Sequence, residues 1–177
     1  MMPDASHRQL CRVDPDDEKL CALLIEFAND LVLNLSSQSL IDHLAVRIVE
    51  VLPVTGAGLT LFAEGEAPLL LAGSNLEALK LEWLQHEIGE GPSVAARHAV
   101  EGVAAPDLDG DPRFPQFGAL AVEGGTLAAF AWPLRHEGRC IGALDLCRDT
   151  VGPLDTADVV SAQTLADVAT SYLVNAR

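Results

Sequence analysis

Apolar residues recur along this chain with two different periods, and the change of period predicts helices near both ends and strands between them. Over 20–31 and 40–52 the apolar positions lie three and four residues apart, which is typical of amphipathic helices. Pro15 stands where the first of these helices begins, and Pro53 ends the second. The N-terminal part of the chain is therefore predicted to be helical.

Two later segments carry the same helical pattern. The segment 75–88 places Leu76, Leu79 and Trp83 on one face, which we expect to face inward. The segment 156–175 has two adjacent apolar stripes, which is more than one face of a sheet needs. The pattern predicts either a homodimer through the terminal helices or packing against the first helix of the same chain. The two stripes consist of Val159, Ala162, Ala166, Ala169 and Leu173, and of Leu154, Ser161, Leu165, Val168 and Tyr172.

Between these helices, short apolar runs bounded by glycine, proline and acidic turns predict β-strands. They form two hairpins, over 58–72 and 126–147, and a short strand over 102–105. Both strands of the second hairpin are apolar on both faces, so we place them at the centre of the sheet. The sequence therefore predicts an α+β fold built on a central antiparallel sheet.

A glycine-rich turn, Gly-Glu-Gly-Pro-Ser at 89–93, separates the 75–88 helix from a short helix that begins at Pro92. Such a turn leaves backbone N–H groups free at a helix start, which is the geometry of an anion or polar-ligand site. The alternative is a tight turn that only changes the direction of the chain. A proline-punctuated loop follows over 106–115, and a ligand is expected between this loop, the turn and the sheet.

The charge balance excludes several classes of partner. The chain carries 26 acidic and 11 basic residues, a net charge of −15, and its arginines form no stripe. Clustered lysine and arginine bind phosphate backbones and anionic membranes, so we expect no direct nucleic-acid contact and no membrane contact. The sequence contains no signal peptide and no apolar run of membrane length, which predicts a soluble, cytoplasmic protein.

No metal site is predicted. The histidines lack paired metal spacing, and the four cysteines include no C-x-x-C pair. Asp107, Asp109 and Asp111 alternate like the start of a calcium loop, but Pro112 stands where such a loop requires glycine.

The cysteines are expected to stay reduced. Cys140 and Cys147 lie an odd number of residues apart on one predicted strand, so a regular strand places them on opposite faces. They are therefore not expected to form a redox pair. Cys11 and Cys21 lie at the N-terminal end of the chain.

The order of these elements and motifs resembles the GAF domain, and specifically the GAF domain of actinobacterial regulators that join it to an RNA-binding ANTAR domain. The resemblance covers nearly all of the chain from Leu20 onward and depends on a set of short motifs in a fixed order. These motifs lie at 55–59, 82–85, 89–92, 106–108, 111–115, 133–135, 141–144 and 165–169.

The resemblance implies a sensory fold in which the N- and C-terminal helices pack on one face of the sheet and pair into a dimer. A ligand pocket covered by loops is implied on the other face. We assign 14–177 to this single GAF-like domain and 1–13 to a flexible N-terminus. The chain ends at Arg177, about where the linker to an ANTAR domain starts in such regulators. We therefore expect either a sensor fragment or a stand-alone module that works through a partner.

The function that the resemblance implies is non-catalytic: the domain dimerises, binds a small molecule and signals to an output partner such as an ANTAR domain. One alternative is a structural dimerisation module whose pocket is filled by its own Phe62, Phe117 and Trp132. Another is a redox enzyme such as the GAF-fold methionine sulfoxide reductases, whose motifs are absent here. Relatives often carry cysteine where this chain has Ser93, so thiol chemistry is not expected at that position.

The candidate ligand contacts lie in the turn, in the loop and on the aromatic residues near them, and no catalytic residue is assigned. They are Trp83, Glu90, Gly91, Ser93, Asp107, Arg113, Phe117 and Trp132. Arg113 either forms an ion pair with Asp107 that fixes the loop or holds an anionic ligand. Because acidic residues crowd these loops, an uncharged or weakly anionic small molecule is expected. The cofactor is unknown; haem on His86 or His98 is one that the resemblance allows.

Overall fold

The structure is a computed structural model of the chain, and it describes residues 15–32 and 37–175. The expected flexible segment 1–13, with Cys11, lies outside the described residues. The contacts divide the chain into two compact units, residues 1–34 and 35–177, and each is described by itself. The described part of the first unit is one helix, α1 (Pro15–Val32), which exposes Cys21 and Ile25 to solvent.

The second unit alternates helices with strands. Its elements are α2 (Ser37–Val51), β1 (Gly56–Leu61), β2 (Leu69–Gly73), α3 (Leu76–Ile88), α4 (Pro92–Ala96), β3 (Val103–Ala105), α5 (Pro115–Glu123), β4 (Ala128–His136), β5 (Arg139–Arg148) and α6 (Thr156–Asn175). The strands form one sheet in the order β2-β1-β5-β4-β3, and every neighbouring pair is antiparallel. The predicted α+β fold is confirmed, with β5 as the central strand. None of the helices in the described ranges is long and apolar enough to cross a membrane.

The two faces of the sheet are covered by different helices. Ala129 on β4 and Cys147 on β5 pack against Leu81 of α3 and Phe117 of α5. Phe130 follows Ala129 and so points to the opposite face, where α6 packs on β4 and on α2. We call the face under α3, α4 and α5 the site face, and the face under α2 and α6 the helix face.

The orientation of α3 differs from the predicted one. Leu76 is 63% exposed and Trp83 is 61% exposed, so the expectation that they face inward is wrong. The buried row of this helix is Ala78, Leu81, Glu82 and Gln85. The largest apolar side chains failed to mark the buried face because that face carries two polar residues, which belong to the site described below.

The pairing of β5 also corrects the expectation for the two cysteines. The register of β4 and β5 shifts by one residue after Leu134, and Ile141 is left without a partner in β4. This bulge brings Cys140 to the site face, where it packs beside Ala131. Cys147 lies on the same face. Opposite faces hold only for a regular strand. With the bulge, the two free thiols share one face at opposite ends of β5.

A pair of leucine substitutions on α3 tests this orientation. Leu81→Ala is expected to lower the free energy of unfolding by about 2 to 5 kcal/mol, because Leu81 is buried and its removal leaves a cavity. Leu76→Ala is expected to change it by less than about 0.5 kcal/mol, because the side chain is largely in water. Urea unfolding of both variants measures the difference. A larger loss for Leu76→Ala would show that α3 buries the face predicted from the sequence.

Candidate functional site

The turn between α3 and α4 is held by contacts with Gln85 of α3. Gly89 ends α3 with a left-handed φ of 73°, and Gly91 has a φ of 134°, a value that favours glycine. A Cβ on Gly91 would lie 2.5 Å from Oε1 of Gln85. That oxygen accepts the backbone N–H of Ser93 at 2.8 Å. The N–H group at this helix start is therefore already bonded within the protein and is not free for an anion.

Beneath the turn lies a cluster of polar side chains on the site face, which we call the buried polar cluster. It consists of Thr60, Glu82, Gln85, Ser93 and Asp145, each 5% exposed or less. Strands β1 and β5 supply Thr60 and Asp145, α3 supplies Glu82 and Gln85, and α4 supplies Ser93. Four elements from different parts of the chain therefore converge on two carboxyl groups.

Hydroxyl and amide groups hold these two carboxyls in place. Thr60 Oγ1 donates to Glu82 Oε2 at 3.0 Å, and Gln85 Nε2 donates to Glu82 Oε1 at 3.2 Å. Ser93 Oγ donates to Asp145 Oδ2 at 3.0 Å. Asp145 Oδ1 is buried and receives no hydrogen bond from any donor in the described ranges. The donors at hand are thus too few for two ionised carboxylates.

The electrostatics of the pair follow from this shortage. Burial raises the pKa of Glu82 from 4.5 to about 7, and hydrogen bonds from its neighbours limit the rise. Burial and the adjacent charge of Glu82 raise the pKa of Asp145 well above its ordinary value of 3.8. The interaction between the two carboxyls lowers the pKa of Glu82 and raises the pKa of Asp145. Because both pKa values stay above their ordinary values, the pair shares one proton near neutral pH.

Two further titratable groups border the pair. His86 Nε2 lies 3.9 Å from Glu82 Oε2, and burial, assisted by the charge of Arg97, lowers the pKa of this imidazole. Burial and the charge of Glu82 raise the pKa of the Cys147 thiol to about 12. At neutral pH the imidazole and the thiol are therefore both uncharged, and neither neutralises an ionised carboxylate.

The carboxyl pair lines a small cavity between α3 and the sheet. Its volume is about 10 Å³, which is about the room that one water molecule needs. Glycines keep this space open: a Cβ on Gly58 would lie 2.8 Å from Cγ of Glu82, and one on Gly56 would lie 2.7 Å from Sγ of Cys147. Gln85 and Pro92 also line the cavity, which therefore extends to the start of α4.

The predicted site residues of the turn have different positions. Gly91 and Ser93 border the buried polar cluster. Glu90 instead accepts the backbone N–H groups of Gln116 at 2.7 Å and Phe117 at 2.9 Å, so its carboxylate caps the start of α5. Trp83 lies on the outer surface of α3. The turn thus contributes both to the cluster and to the anchoring of α5.

The loop residues form their own closed network. Arg113 pairs with Asp111 through two hydrogen bonds, of 3.0 and 2.7 Å, and not with Asp107, so the predicted Asp107 pair is wrong. A third bond, of 2.7 Å, joins Arg113 to the carbonyl of Ala104. Asp107 accepts the N–H of Asp109 at 3.1 Å and forms a local turn. The closely spaced aspartates of this loop explain the error, because the sequence does not indicate which of them the guanidinium of Arg113 reaches.

The predicted aromatic contacts lie on opposite faces of the sheet. Phe117 is fully buried on the site face, and Phe62 is buried on the same face. Trp132 lies on the helix face, next to Phe130 with 6.5 Å between the ring centroids, and borders a hollow beside α6. Trp132 cannot share one ligand pocket with Phe117, because the sheet separates them.

The sequence reading missed Thr60, Glu82, Gln85 and Asp145. One signal was present for Asp145, which is a single charged residue within the apolar strand Gly-Ala-Leu-Asp-Leu-Cys. Charged residues are seldom buried unless they are paired. Glu82 lies in the 82–85 motif, but the aromatic Trp83 beside it is the stronger sequence signal for a ligand contact. No group of three metal-ligating side chains occurs within 15–32 and 37–175.

Comparison with known proteins gives the same fold. The GAF domain family model matches residues 36–173. The GAF domain of a phosphoenolpyruvate-protein phosphotransferase from Coxiella burnetii is 17% identical, with a TM-score of 0.72, over 93% of this chain and 97% of that chain. The chromophore-binding domain of a bacteriophytochrome from Stigmatella aurantiaca is 12% identical, with a TM-score of 0.65, over 96% of this chain and 63% of that chain. No curated protein matches this chain in sequence.

One similar structure is an enzyme. The free methionine-R-sulfoxide reductase from Neisseria meningitidis is 18% identical, with a TM-score of 0.70, over 94% of this chain and 95% of that chain. The expectation of a non-enzymatic protein is overturned by this finding, because the same fold carries a reductase activity. At this identity the likeness shows the fold alone, and the question of catalysis in this chain is open.

The raised pKa of Glu82 predicts a pH-dependent stability. Because the folded state favours the protonated carboxyl, the stabilising contribution is complete below the ordinary pKa of 4.5 and is lost as the pH rises through about 7. Between about pH 5 and 8, the free energy of unfolding of the wild type should fall by on the order of 3 kcal/mol relative to that of Glu82→Gln. Urea unfolding across this range measures the difference.

The matched control is Glu87→Gln, which changes an exposed glutamate on the same helix. This variant should follow the wild-type dependence on pH. If the free energies of unfolding of wild type and Glu82→Gln differ by the same amount at every pH, the pKa of Glu82 is not raised.

Proposed function

Because the chain belongs to the GAF domain family, we propose that it is a sensory domain that binds a small molecule at the buried polar cluster and transmits this event to an output partner. GAF domains are generally sensory or regulatory, and the family match covers residues 36–173. The observation that carries the proposal is the carboxyl pair of Glu82 and Asp145. Its burial opposes folding, and groups of this kind concentrate at functional sites.

The fold supports a short route for the signal. Asp145 faces the site, whereas its neighbours Leu144 and Leu146 point to the helix face and are buried. Helix α6 packs on β4 and β5 at that face. A ligand that moves Asp145 therefore acts on α6 through the thickness of one strand. We propose that the terminal helices carry the signal onward.

We further propose that the protein acts as a homodimer through its terminal helices. Val160 of α6 is 60% exposed, and a partner helix would cover it. Ala166 and Ala169 are buried within the chain, so the exposed valine is the better position for a test. Val160→Glu should give a folded monomer in light scattering. A variant that stays dimeric would place the interface elsewhere.

The output partner that the motif resemblance favours is an ANTAR domain, joined to this domain or bound to it. The acidic chain itself offers no cluster of lysine and arginine for RNA, so nucleic-acid binding would belong to the partner.

A ligand screen by thermal shift tests the sensory function. A molecule present at 100 times its Kd should stabilise wild type by about 2.7 kcal/mol. Glu82→Gln should abolish the shift, because Glu82 lines the cavity. Arg113→Ala should keep it, because Arg113 is half exposed and already bonded to Asp111.

The alternatives give different results in the same screen. If no molecule stabilises the wild type, the pocket is filled by the protein's own side chains and the sensory proposal fails. Turnover of free methionine-R-sulfoxide in the presence of a dithiol reductant would assign the site to catalysis instead. Loss of the shift in Arg113→Ala but not in Glu82→Gln would move the site to the 106–115 loop.

A further inference from the structure

We infer that the buried polar cluster takes the protonated amino group of its ligand, which sits between Glu82 and Asp145 and displaces the proton that they share. This inference rests on the proposed sensory function and names the chemical class of the ligand. The ligand is a compact primary amine, and its ammonium head group occupies the cavity beside the carboxyl pair.

The hydrogen-bond inventory of the cluster points to a donor. Three donors bond to the pair: Thr60 and Gln85 bond to Glu82, and Ser93 bonds to Asp145. His86 Nε2 lies 3.9 Å from Glu82 Oε2, which is beyond hydrogen-bond range. Among the residues that the structure describes, none donates to Asp145 Oδ1, which is buried and belongs to a side chain that lines the cavity. An ammonium group carries three N–H donors and no acceptor, so it complements a site made of unsatisfied carboxylate oxygens.

The size of the cavity sets the size of the group that enters it. A volume of about 10 Å³ accepts a group the size of a water molecule, and an ammonium head group is of that size. The rest of the ligand requires a movement of α4, whose Pro92 forms part of the cavity wall. Gly89 and Gly91 flank the turn before α4, and both have the positive φ values that glycine tolerates.

The charge of the buried polar cluster excludes an anionic ligand. An anion would meet two carboxyls in a low dielectric, and Arg113 lies outside the cluster, paired with Asp111. The expected uncharged or weakly anionic ligand is thereby replaced by a cationic one. The nearest thiol and imidazole, Cys147 and His86, are uncharged near neutral pH and do not neutralise the pair.

Binding is an exchange of one cation for another. Before binding, the carboxyl pair holds one proton and the ligand R–NH₃⁺ is free. After binding, both carboxyls are ionised, R–NH₃⁺ lies between them and one proton is released. Charge and atoms therefore balance. Affinity should therefore rise with pH over the range in which the pair holds its proton, by about tenfold per pH unit at most. The titratable groups that face the pair are Glu82 and His86 on α3, Arg97 after α4, and Cys140, Asp145 and Cys147 on β5.

The test compares two cations of equal charge. Methylammonium chloride has three N–H donors, and tetramethylammonium chloride has none and is too large for the cavity. Methylammonium should raise the Tm of the wild-type protein, more at pH 8 than at pH 6, and tetramethylammonium at the same ionic strength should not. Glu82→Gln and Asp145→Asn should each lose the effect, and Glu87→Gln should keep it.

Calorimetry adds a measurement that a nonspecific salt effect would not reproduce. Titration of methylammonium at pH 7 in phosphate and in MOPS, which differ in ionisation enthalpy and contain no primary amine, should report release of about one proton per site. Equal stabilisation by the two cations, retention in both Glu82→Gln and Asp145→Asn, or absence of proton release would overturn the inference.

Different results would contradict amine binding and the sensory function. If a molecule without N–H donors stabilises wild type but not Glu82→Gln, and methylammonium has no effect, the site is a sensor site and the amine assignment is wrong. If neither methylammonium nor any molecule in the screen stabilises wild type, the sensory function fails with it.

Discussion

The structure depends on two carboxyl groups that are buried in the protein interior and short of hydrogen-bond donors among the described residues. Glu82 and Asp145 lie between α3 and the central strand, and transfer of a carboxylate to such a place is unfavourable unless it is paired or protonated. The surrounding features serve this pair: a glycine beside it in β1, a serine at the start of α4, and a glutamine that links α3 to the turn. The geometry of the site face follows from accommodating these two groups.

The fold was predictable from the sequence because it depends on periodicity and on turn residues. Hydrophobic spacing located the helices and the two hairpins, and the apolar character of both strands of the second hairpin indicated a central position for β5. The bulge at Ile141 was not predictable, since one skipped residue leaves no mark in an apolar strand. That skipped residue is enough to reverse the face on which Cys140 lies.

The candidate site was predicted only in part. Gly91 and Ser93 could be found because a glycine-rich turn before a helix is a local pattern. Glu82 and Asp145 lie 63 positions apart and meet only when α3 lies on β5, so no local pattern joins them. Residue size also misled the prediction: a tryptophan suggests a ligand contact more strongly than a glutamate does, yet Trp83 faces water.

Glu90 joins the turn before α4 to the start of α5. Its backbone belongs to the turn before α4, and its carboxylate holds the first N–H groups of α5. Any displacement of the turn that admits a molecule to the cavity would pull on α5 as well. Between α3 and α5 lies a surface hollow of about 280 Å³ edged by Trp83 and Leu120, and its width would change with that displacement. Binding in the cavity would thus change the shape of an apolar surface groove between α3 and α5, whereas α6 packs on the helix face.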